Sequence, residues 1–327
     1  MHTWFFGELL MRLECENSDR LEQTEHFHVR YTGAEANAAI AMCSLGAENI
    51  HLLSAVPENP IGRSCLDALR KYGPDTAHVL RIPGDSRLGL FFLETGVSLR
   101  PSQVVYDRKY SAFAETPFDA YHVNALFRTF SAPGWLHLSG TLPALNECCR
   151  KSAFQIIRAA KKANYTVSFD LNYRAALWSE SDAQTCFREL VKDIDVLIAN
   201  AGVAESFLET PEAELCRRFG FTAAALTRRE DCDASHTGFG GTLYRQNGRR
   251  FDVPMCRFAV LDRIGGGDAF AGAMIYALQQ PEWTDERRIR FATACGMLKH
   301  ATRGDFSLST RAEVDALLAG NSLAVKR

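Results

Sequence analysis

The apolar positions fall into short runs whose period changes along the chain. Trp4-Phe5-Phe6 is a compact run ending at Gly7-Glu8 and predicts a strand. From Leu9 to Tyr31 the pattern alternates, with Phe27, Val29 and Tyr31 two apart, as in strands exposed on one face. Gly33-Ala34 opens an Ala-rich helical run to Leu45 that stops at Gly46. Ile50–Val56 reads as a strand closed by Pro57-Glu58-Asn59-Pro60. Ile61–Lys71 has helical spacing, with Leu66, Leu69 and Tyr72 on one side, and ends at Gly73-Pro74. Between about Arg87 and Tyr110 the pattern turns to β-hairpin material, through Leu88, Leu90, Phe92 and Val104-Val105-Tyr106.

Strands are then predicted at Trp135–Leu138, Thr166–Asp170 and Val196–Ala199, with helices at Asn146–Lys162 and Ser181–Val191 between them. Ala223–Pro254 is strand-rich, with Gly238-Phe239-Gly240-Gly241 read as a turn. Helices close the chain at Gly266–Gln279, Asp285–His300 and Thr310–Leu318. Such alternation predicts an α/β fold with a mainly parallel sheet and helices on both faces. No linker, repeat or low-complexity tract interrupts it. The expectation is one domain over residues 1–327, carrying a small β elaboration built from roughly 9–32 and 86–112.

Composition narrows the function classes. Hydrophobic residues make up 46% and charged residues 23%, which excludes a disordered, collagen-like or coiled-coil chain. Lys+Arg is 37 against Asp+Glu 39, so the basic excess that grips nucleic acid or an anionic membrane is missing. No apolar run approaches the ~20 residues of a membrane span. Glu8 breaks the N-terminal apolar stretch and no basic segment precedes it, so a secretory signal is not expected and a cytoplasmic location is. The ten cysteines are scattered without a Cys-x-x-Cys pair and read as reduced, mostly buried thiols.

The strongest chemical signal is Leu261-Asp262-Arg263-Ile264-Gly265-Gly266-Gly267-Asp268-Ala269-Phe270. Gly265, Gly266 and Gly267 run into a helix expected to begin near Asp268. Backbone N–H groups freed by glycine, together with a helix N-terminus, make a site for an anion such as phosphate. A carboxylate there repels phosphate, but it can take the proton of an attacking hydroxyl, so Asp268 is the candidate base. The same residues also suit a tight turn in which Asp268 caps the helix.

The segment resembles the signature of the ribokinase-like (PfkB) carbohydrate kinases, and the resemblance extends over nearly the whole chain. Gly7-Glu8, Tyr31-Thr32-Gly33-Ala34-Glu35-Ala36-Asn37, Asn59-Pro60-Ile61-Gly62, Arg87-Leu88-Gly89, Tyr106-Asp107-Arg108, Asp170-Leu171-Asn172-Tyr173-Arg174 and Arg303-Gly304-Asp305-Phe306 look like that family's blocks, in its order. Within the family the chain is similar to the sugar-acid kinases. The resemblance implies a ribokinase-like sheet with a β-sheet lid and ATP- and Mg²⁺-dependent phosphorylation of the terminal hydroxyl of 2-keto-3-deoxygluconate. It also implies pairing of subunits through the lid. A neutral-ketose kinase of the fructokinase type and a non-catalytic sugar-binding regulator are the alternatives. A nicotinamide dehydrogenase is disfavoured, because no Gly-x-Gly-x-x-Gly follows an early strand.

The resemblance also implies roles for individual residues. A sugar acid needs a cation at one end and a base with an anion hole at the other. Arg108 suits the carboxylate through bidentate pairing, the alternative being a solvated lid arginine. Arg174 follows a strand end, where open α/β sheets bind ligands, and would either face the ligand or pair with Asp170. Gly33, Ala34 and Asn37 are expected at the sugar with Phe91, Tyr106 and Asp305. Asn172, Arg174, Thr227, Gly265 and Gly267 are expected at the nucleotide. Three positions depart from the family pattern: Thr32 replaces a hinge glycine, Phe91 a tyrosine, and Asn200 lacks a glutamate three residues on. The Mg²⁺-supporting residues are therefore unassigned.

Overall fold

The computed structural model describes residues 1–130 and 133–320; residues 131–132 and 321–327, included in the expected 1–327 domain, lie outside them. Thirteen strands are found among the described residues. They are β1 (His2–Phe6), β2 (Leu10–Cys15), β3 (Phe27–Thr32), β4 (Ile50–Pro57), β5 (Val79–Ile82), β6 (Gly89–Glu94) and β7 (Gln103–Asp107), followed by β8 (Gly134–Ser139), β9 (Thr166–Asp170), β10 (Val196–Asn200), β11 (Ala223–Asp231), β12 (His236–Arg245) and β13 (Arg250–Ala259). The helices are α1 (Ala34–Ser44), α2 (Pro60–Arg70), α3 (Ala112–Glu115), α4 (Val123–Thr129), α5 (Glu147–Lys162), α6 (Glu180–Leu190), α7 (Ala201–Leu208), α8 (Leu215–Phe219), α9 (Gly266–Leu278), α10 (Asp285–Lys299) and α11 (Arg311–Leu318).

Nine strands form one sheet in the order β13-β12-β11-β10-β9-β8-β1-β4-β5. It is parallel from β5 to β11 and antiparallel beyond, through β12 and β13. All eight residues of β4 are buried, the polar His51 and Ser54 among them, as in an interior parallel strand covered on both faces. The two largest groups of buried apolar side chains, one around Phe6, Leu136 and Phe169 and one around Phe5, Ile40 and Phe270, fill the space between this sheet and its helices.

Local chemistry starts the helices where the sequence predicts them. Asn59 accepts hydrogen bonds from the Ile61 and Gly62 amides ahead of Pro60, and Asn146 accepts one from Cys149. The Ala-rich α1 and α9 are buried on nearly every side and pack together. A Cβ at Gly272 would lie 2.3 Å from the Ala38 carbonyl oxygen, so glycine is what permits the approach. That contact sets the N-terminus of α1 beside the N-terminus of α9.

The elaboration predicted from 9–32 and 86–112 forms a second sheet in the order β3-β2-β6-β7. Both hairpins are antiparallel, and β2 joins β6 in parallel. One prediction fails. Gly238-Phe239-Gly240-Gly241 is not a turn but the middle of β12, with a bulge between Phe239 and Gly241. The glycines make room: a Cβ at Gly241 would meet the Thr293 hydroxyl of α10 at 2.6 Å, and one at Gly238 the Met255 sulfur at 2.6 Å. The short elements β5, α3, α4, α7 and α8 carry too little periodic sequence to be read beforehand. All ten cysteines are free thiols, six of them buried. Among the described residues, no helix is long and apolar enough to cross a membrane.

Candidate active site

Every residue expected at the sugar, the nucleotide or the reacting groups lines one cavity of about 980 Å³. It opens at the C-terminal ends of the parallel strands, beneath the four-stranded sheet. Strand ends contribute Asp170, Asn172 and Arg174 after β9, Asn200 at the end of β10 and Thr227 on β11. Helix starts contribute Gly33, Ala34 and Asn37 of α1 and Gly265, Gly266, Gly267 and Asp268 of α9. The small sheet contributes Phe91 and Tyr106, with Arg108 just beyond β7, and Asp305 comes from the turn before α11.

The glycine loop is held by steric fit. Gly265 has φ 88°, and a Cβ on it would lie 2.0 Å from the Asp305 carbonyl oxygen. A Cβ at Gly266 would strike the His300 ring at 2.3 Å, whereas one at Gly267 would meet nothing within 4 Å. The loop is thus pinned on its protein side at Gly265 and Gly266 and open at Gly267. The helix begins at Gly266, as the Gly266–Gln279 reading predicts, with Gly265 as its N-cap. Asp268 therefore does not cap it. Its Oδ2 accepts a hydrogen bond from Asn37 Nδ2 at 2.7 Å, and Asn37 Oδ1 accepts one from the Thr32 hydroxyl at 2.9 Å. Thr32, a departure from the family pattern, orients the amide that holds the candidate base.

Three carboxylates crowd this region. Burial raises Asp268 to about 6; the Asn37 hydrogen bond and Arg174 oppose the rise, and Asp305 adds to it. Burial and then repulsion from Asp268 raise Asp170 to about 7, and burial raises Glu35 to about 7 although the Ser139 amide donates to it at 2.9 Å. Arg174 forms no hydrogen bond through its guanidinium and no ion pair among the described residues. No hydrogen-bonded pair with Asp170 forms, but the Arg174 charge lies close enough to oppose the rise of both Asp170 and Asp268.

Arg303 also lines the cavity without a side-chain hydrogen bond among the described residues, whereas Arg108, Arg12 and Lys299 are engaged. Arg108 donates to Glu8 Oε2 from Nε at 2.8 Å and from Nη2 at 2.6 Å, while Ser111 donates to Glu8 Oε1. It also lies over the Tyr106 ring, 5.4 Å from its centre, so it is a buried, fixed cation at the wall and not a solvated one. Arg12, fully buried on β2, was not foreseen. It donates to Asp262 at 2.9 Å and to Asp305 and pairs with Glu14 at 3.0 Å. Burial disfavours its charge, but the three acids more than offset this and hold it firmly protonated. Asp305 Oδ2 is left buried without a partner, free to accept from a ligand hydroxyl. Lys299, also fully buried, donates to the backbone carbonyls of Asp262 and Thr302 at 3.2 and 3.3 Å. Arg12 and Lys299 together tie the small sheet, the start of the glycine loop and the Thr302–Asp305 turn into one unit.

Toward the far end, Asn172 adopts a left-handed conformation (φ 33°), its amide donating to Asp170 Oδ1 at 3.0 Å. Thr227 donates to the Ala199 carbonyl at 3.4 Å. The Asn200 side chain caps α7 through the Gly202 and Val203 amides, and Glu205 is exposed and absent from the cavity wall.

The pfkB family carbohydrate kinase profile matches residues 3–311. The chain is 32% identical to a 2-dehydro-3-deoxygalactonokinase of Haloferax volcanii, over 98% of each chain. It is 28% identical to a 2-dehydro-3-deoxygluconokinase of Bacillus subtilis, over 96% of this chain and 94% of the relative. Its fold matches the crystal structure of a 2-dehydro-3-deoxygluconokinase from Thermotoga maritima with a TM-score of 0.91 and 33% identity, covering 98% of this chain and all of the other.

Proposed function

The chain belongs to the pfkB family of carbohydrate kinases, and we propose that it transfers the terminal phosphoryl group of ATP to the primary hydroxyl of a 2-keto-3-deoxy sugar acid, 2-keto-3-deoxygluconate or its galacto epimer. The observation that carries the reading is the pairing, in one cavity, of a cation without a side-chain hydrogen bond, Arg174, with a buried carboxylate whose charge it favours, Asp268, beside a glycine-rich helix start. The names of the relatives point to the same substrate class.

On this reading the sugar lies under the small sheet. Arg108, whose Nη1 is left over from the Glu8 pairing, faces the carboxylate end, Tyr106 and Phe91 form the apolar wall, and Asp305 Oδ2 and the Gly33–Asn37 helix start take the hydroxyls. The primary hydroxyl reaches Asp268, which removes its proton as the oxygen attacks phosphorus. The amides at the start of α9 and Arg174 balance the charge on the transferring group. Asn172 and Thr227 flank the nucleotide. The donors fit Mg²⁺: such an ion keeps several waters and takes few protein carboxylates, and Asp170 is the one left when Asp268 serves as base. Bound with the nucleotide, Mg²⁺ neutralises phosphate charge.

The working unit is one kinase domain, with the four-stranded sheet acting as its lid. The lid also supplies a surface for a second copy. Its outward row Val29–Leu13–Phe92–Val105 is apolar across all four strands, and Val29 and Val105 are 54% and 41% exposed. A dimer through this face is expected by light scattering at micromolar concentration; a monomer would refute it. The function is tested by a coupled ATP-to-ADP assay on both sugar acids and on fructose. Turnover on the acids is expected, with kcat reduced about 10²–10⁴-fold in Asp268→Asn. Turnover on fructose alone would reject the sugar-acid assignment, and sugar binding without turnover would reject the kinase.

A further inference from the structure

We infer that His51, Asp75 and His78 form a binding site for a divalent transition-metal ion of the zinc type, at the end of the main sheet opposite the cavity. One ligating atom from each of the three lies within 4.8 Å of the others. His51 is the second residue of β4, and Asp75 and His78 lie in the turn that leads into β5. These are the N-terminal ends of parallel strands, whereas the cavity lies at the C-terminal ends. The inference does not rest on the kinase reading.

The three positions are held by backbone. The Leu52 amide donates to the Asp75 carbonyl at 2.9 Å and the Asp75 amide to the Ile50 carbonyl at 2.8 Å, so Asp75 is bridged to β4. Two imidazoles and one carboxylate suit zinc-type ions, which take nitrogen and oxygen ligands at about 2.0–2.2 Å and in open sites leave a fourth position to water. His51 is buried and Asp75 is 42% exposed at its side chain, so the site has a rigid floor and an entry side. Small rotations of Asp75 and His78 close the set around an ion.

A second layer is already present, as metal sites require. Asp75 Oδ1 accepts from the Ala77 amide at 2.8 Å, leaving Oδ2, now 2.9 Å from His51 Nδ1, as the ligand atom. His51 Nε2 lies 2.9 Å from His2 Nδ1. With a metal on His51 Nδ1, the His51 proton sits on Nε2 and is donated to His2 Nδ1, whose own proton moves to its Nε2. No proton is lost overall. Trp4 stacks on His51 with ring centres 4.3 Å apart, and Phe130 abuts His51 and His78 at 5.4 and 5.7 Å, fixing both rings. A simple His–Asp hydrogen bond would need only His51 and Asp75. His78 makes no hydrogen bond among the described residues, and the ion gives it one role in common with the other two.

The test uses the full chain, stripped with a chelator and free of nucleotide. Co²⁺ is titrated as a visible-absorption probe, Zn²⁺ is added in competition, and melting is followed with and without Zn²⁺. One saturable equivalent with the absorption of four-coordinate Co²⁺, displaced by Zn²⁺, and a Zn²⁺-dependent rise in Tm are expected. His78→Gln, at a half-buried side chain without a hydrogen bond, should keep the fold and its melting without metal. It should weaken Co²⁺ binding by more than the about 10–100-fold typical of losing an outer partner, as should Asp75→Asn. Non-saturating binding, or binding unchanged in His78→Gln and so located elsewhere, as on the exposed thiols of Cys232 and Cys256, would overturn the inference.

Discussion

Replacing Arg12 by methionine removes a buried cation of the small sheet, just behind the cavity wall, and keeps most of the side-chain volume. Arg12 is fully buried and joins Asp262, Asp305 and Glu14. Breaking a buried ion pair by removing one partner costs about 3–5 kcal/mol, because the remaining charge is stranded in a medium that solvates it poorly. The unfolding entropy of a folded chain is roughly 2.1 cal/mol/K per residue, so for a chain of this length that loss lowers Tm by about 4–7 °C. Calorimetry of the purified variant reads the shift directly. The stranded acids are specific to the argument, so a second substitution checks the cause. Arg12→Met/Asp262→Asn should melt above Arg12→Met, although Asp262→Asn alone should destabilise by removing partners of Arg12, Ile264 and Gly304. An Arg12→Met protein that melts within 1 °C of the parent (roughly 0.7 kcal/mol on the same entropy scale), or a double variant no better than the single, would refute the claim that charge pairing holds the small sheet to Asp262 and Asp305.

Two further outcomes follow from the same geometry. The base must be ionised to act, and burial places Asp268 at about 6, so kcat/KM should fall as pH drops through that value. Asn37→Ala removes the donor that opposes this rise; a hydrogen bond to a charged group contributes about 1.5–3 kcal/mol, so the acid limb should move up by about 1–2 pH units. A limb that stays in place or moves down would separate Asn37 from the base. The glycine loop offers a contrast. Gly265→Ala places a methyl 2.0 Å from a backbone oxygen at φ 88° and should lower both Tm and kcat, whereas Gly267→Ala points into open space and should leave Tm within about 1 °C while raising the KM for nucleotide. Equal melting losses in the two variants would contradict the loop geometry.

The parts of the protein legible in the sequence are those set by neighbours along the chain. The strand and helix alternation, the caps at Asn59 and Asn146, and the glycine-led start of α9 each depend on a few consecutive residues. The same local view misread Gly238–Gly241, because glycine signals a turn unless another element needs the space, and α10 lies across β12. The candidate residues carried by the family blocks do line one cavity together. They did not disclose which of its charges are already spent.

That distribution belongs to the tertiary structure alone. Arg12 meets Asp305 across 293 residues and Asn37 meets Asp268 across 231, and no local pattern encodes either encounter. Packing of α1 on α9 through Gly272 decides the second, and the docking of the small sheet's β2 against the Asp305 turn decides the first. The sequence by itself determined the fold, the glycine-led start of α9 and the choice of Asp268 as candidate base. The tertiary structure decided that Arg108 is tied to Glu8 while Arg174 forms no side-chain hydrogen bond among the described residues, that Thr32 orients Asn37, and that Asp268 is raised toward neutrality. Each of these depends on which groups share a desolvated space, and burial that distance along the chain does not reveal is what makes a charge strong, paired or shifted.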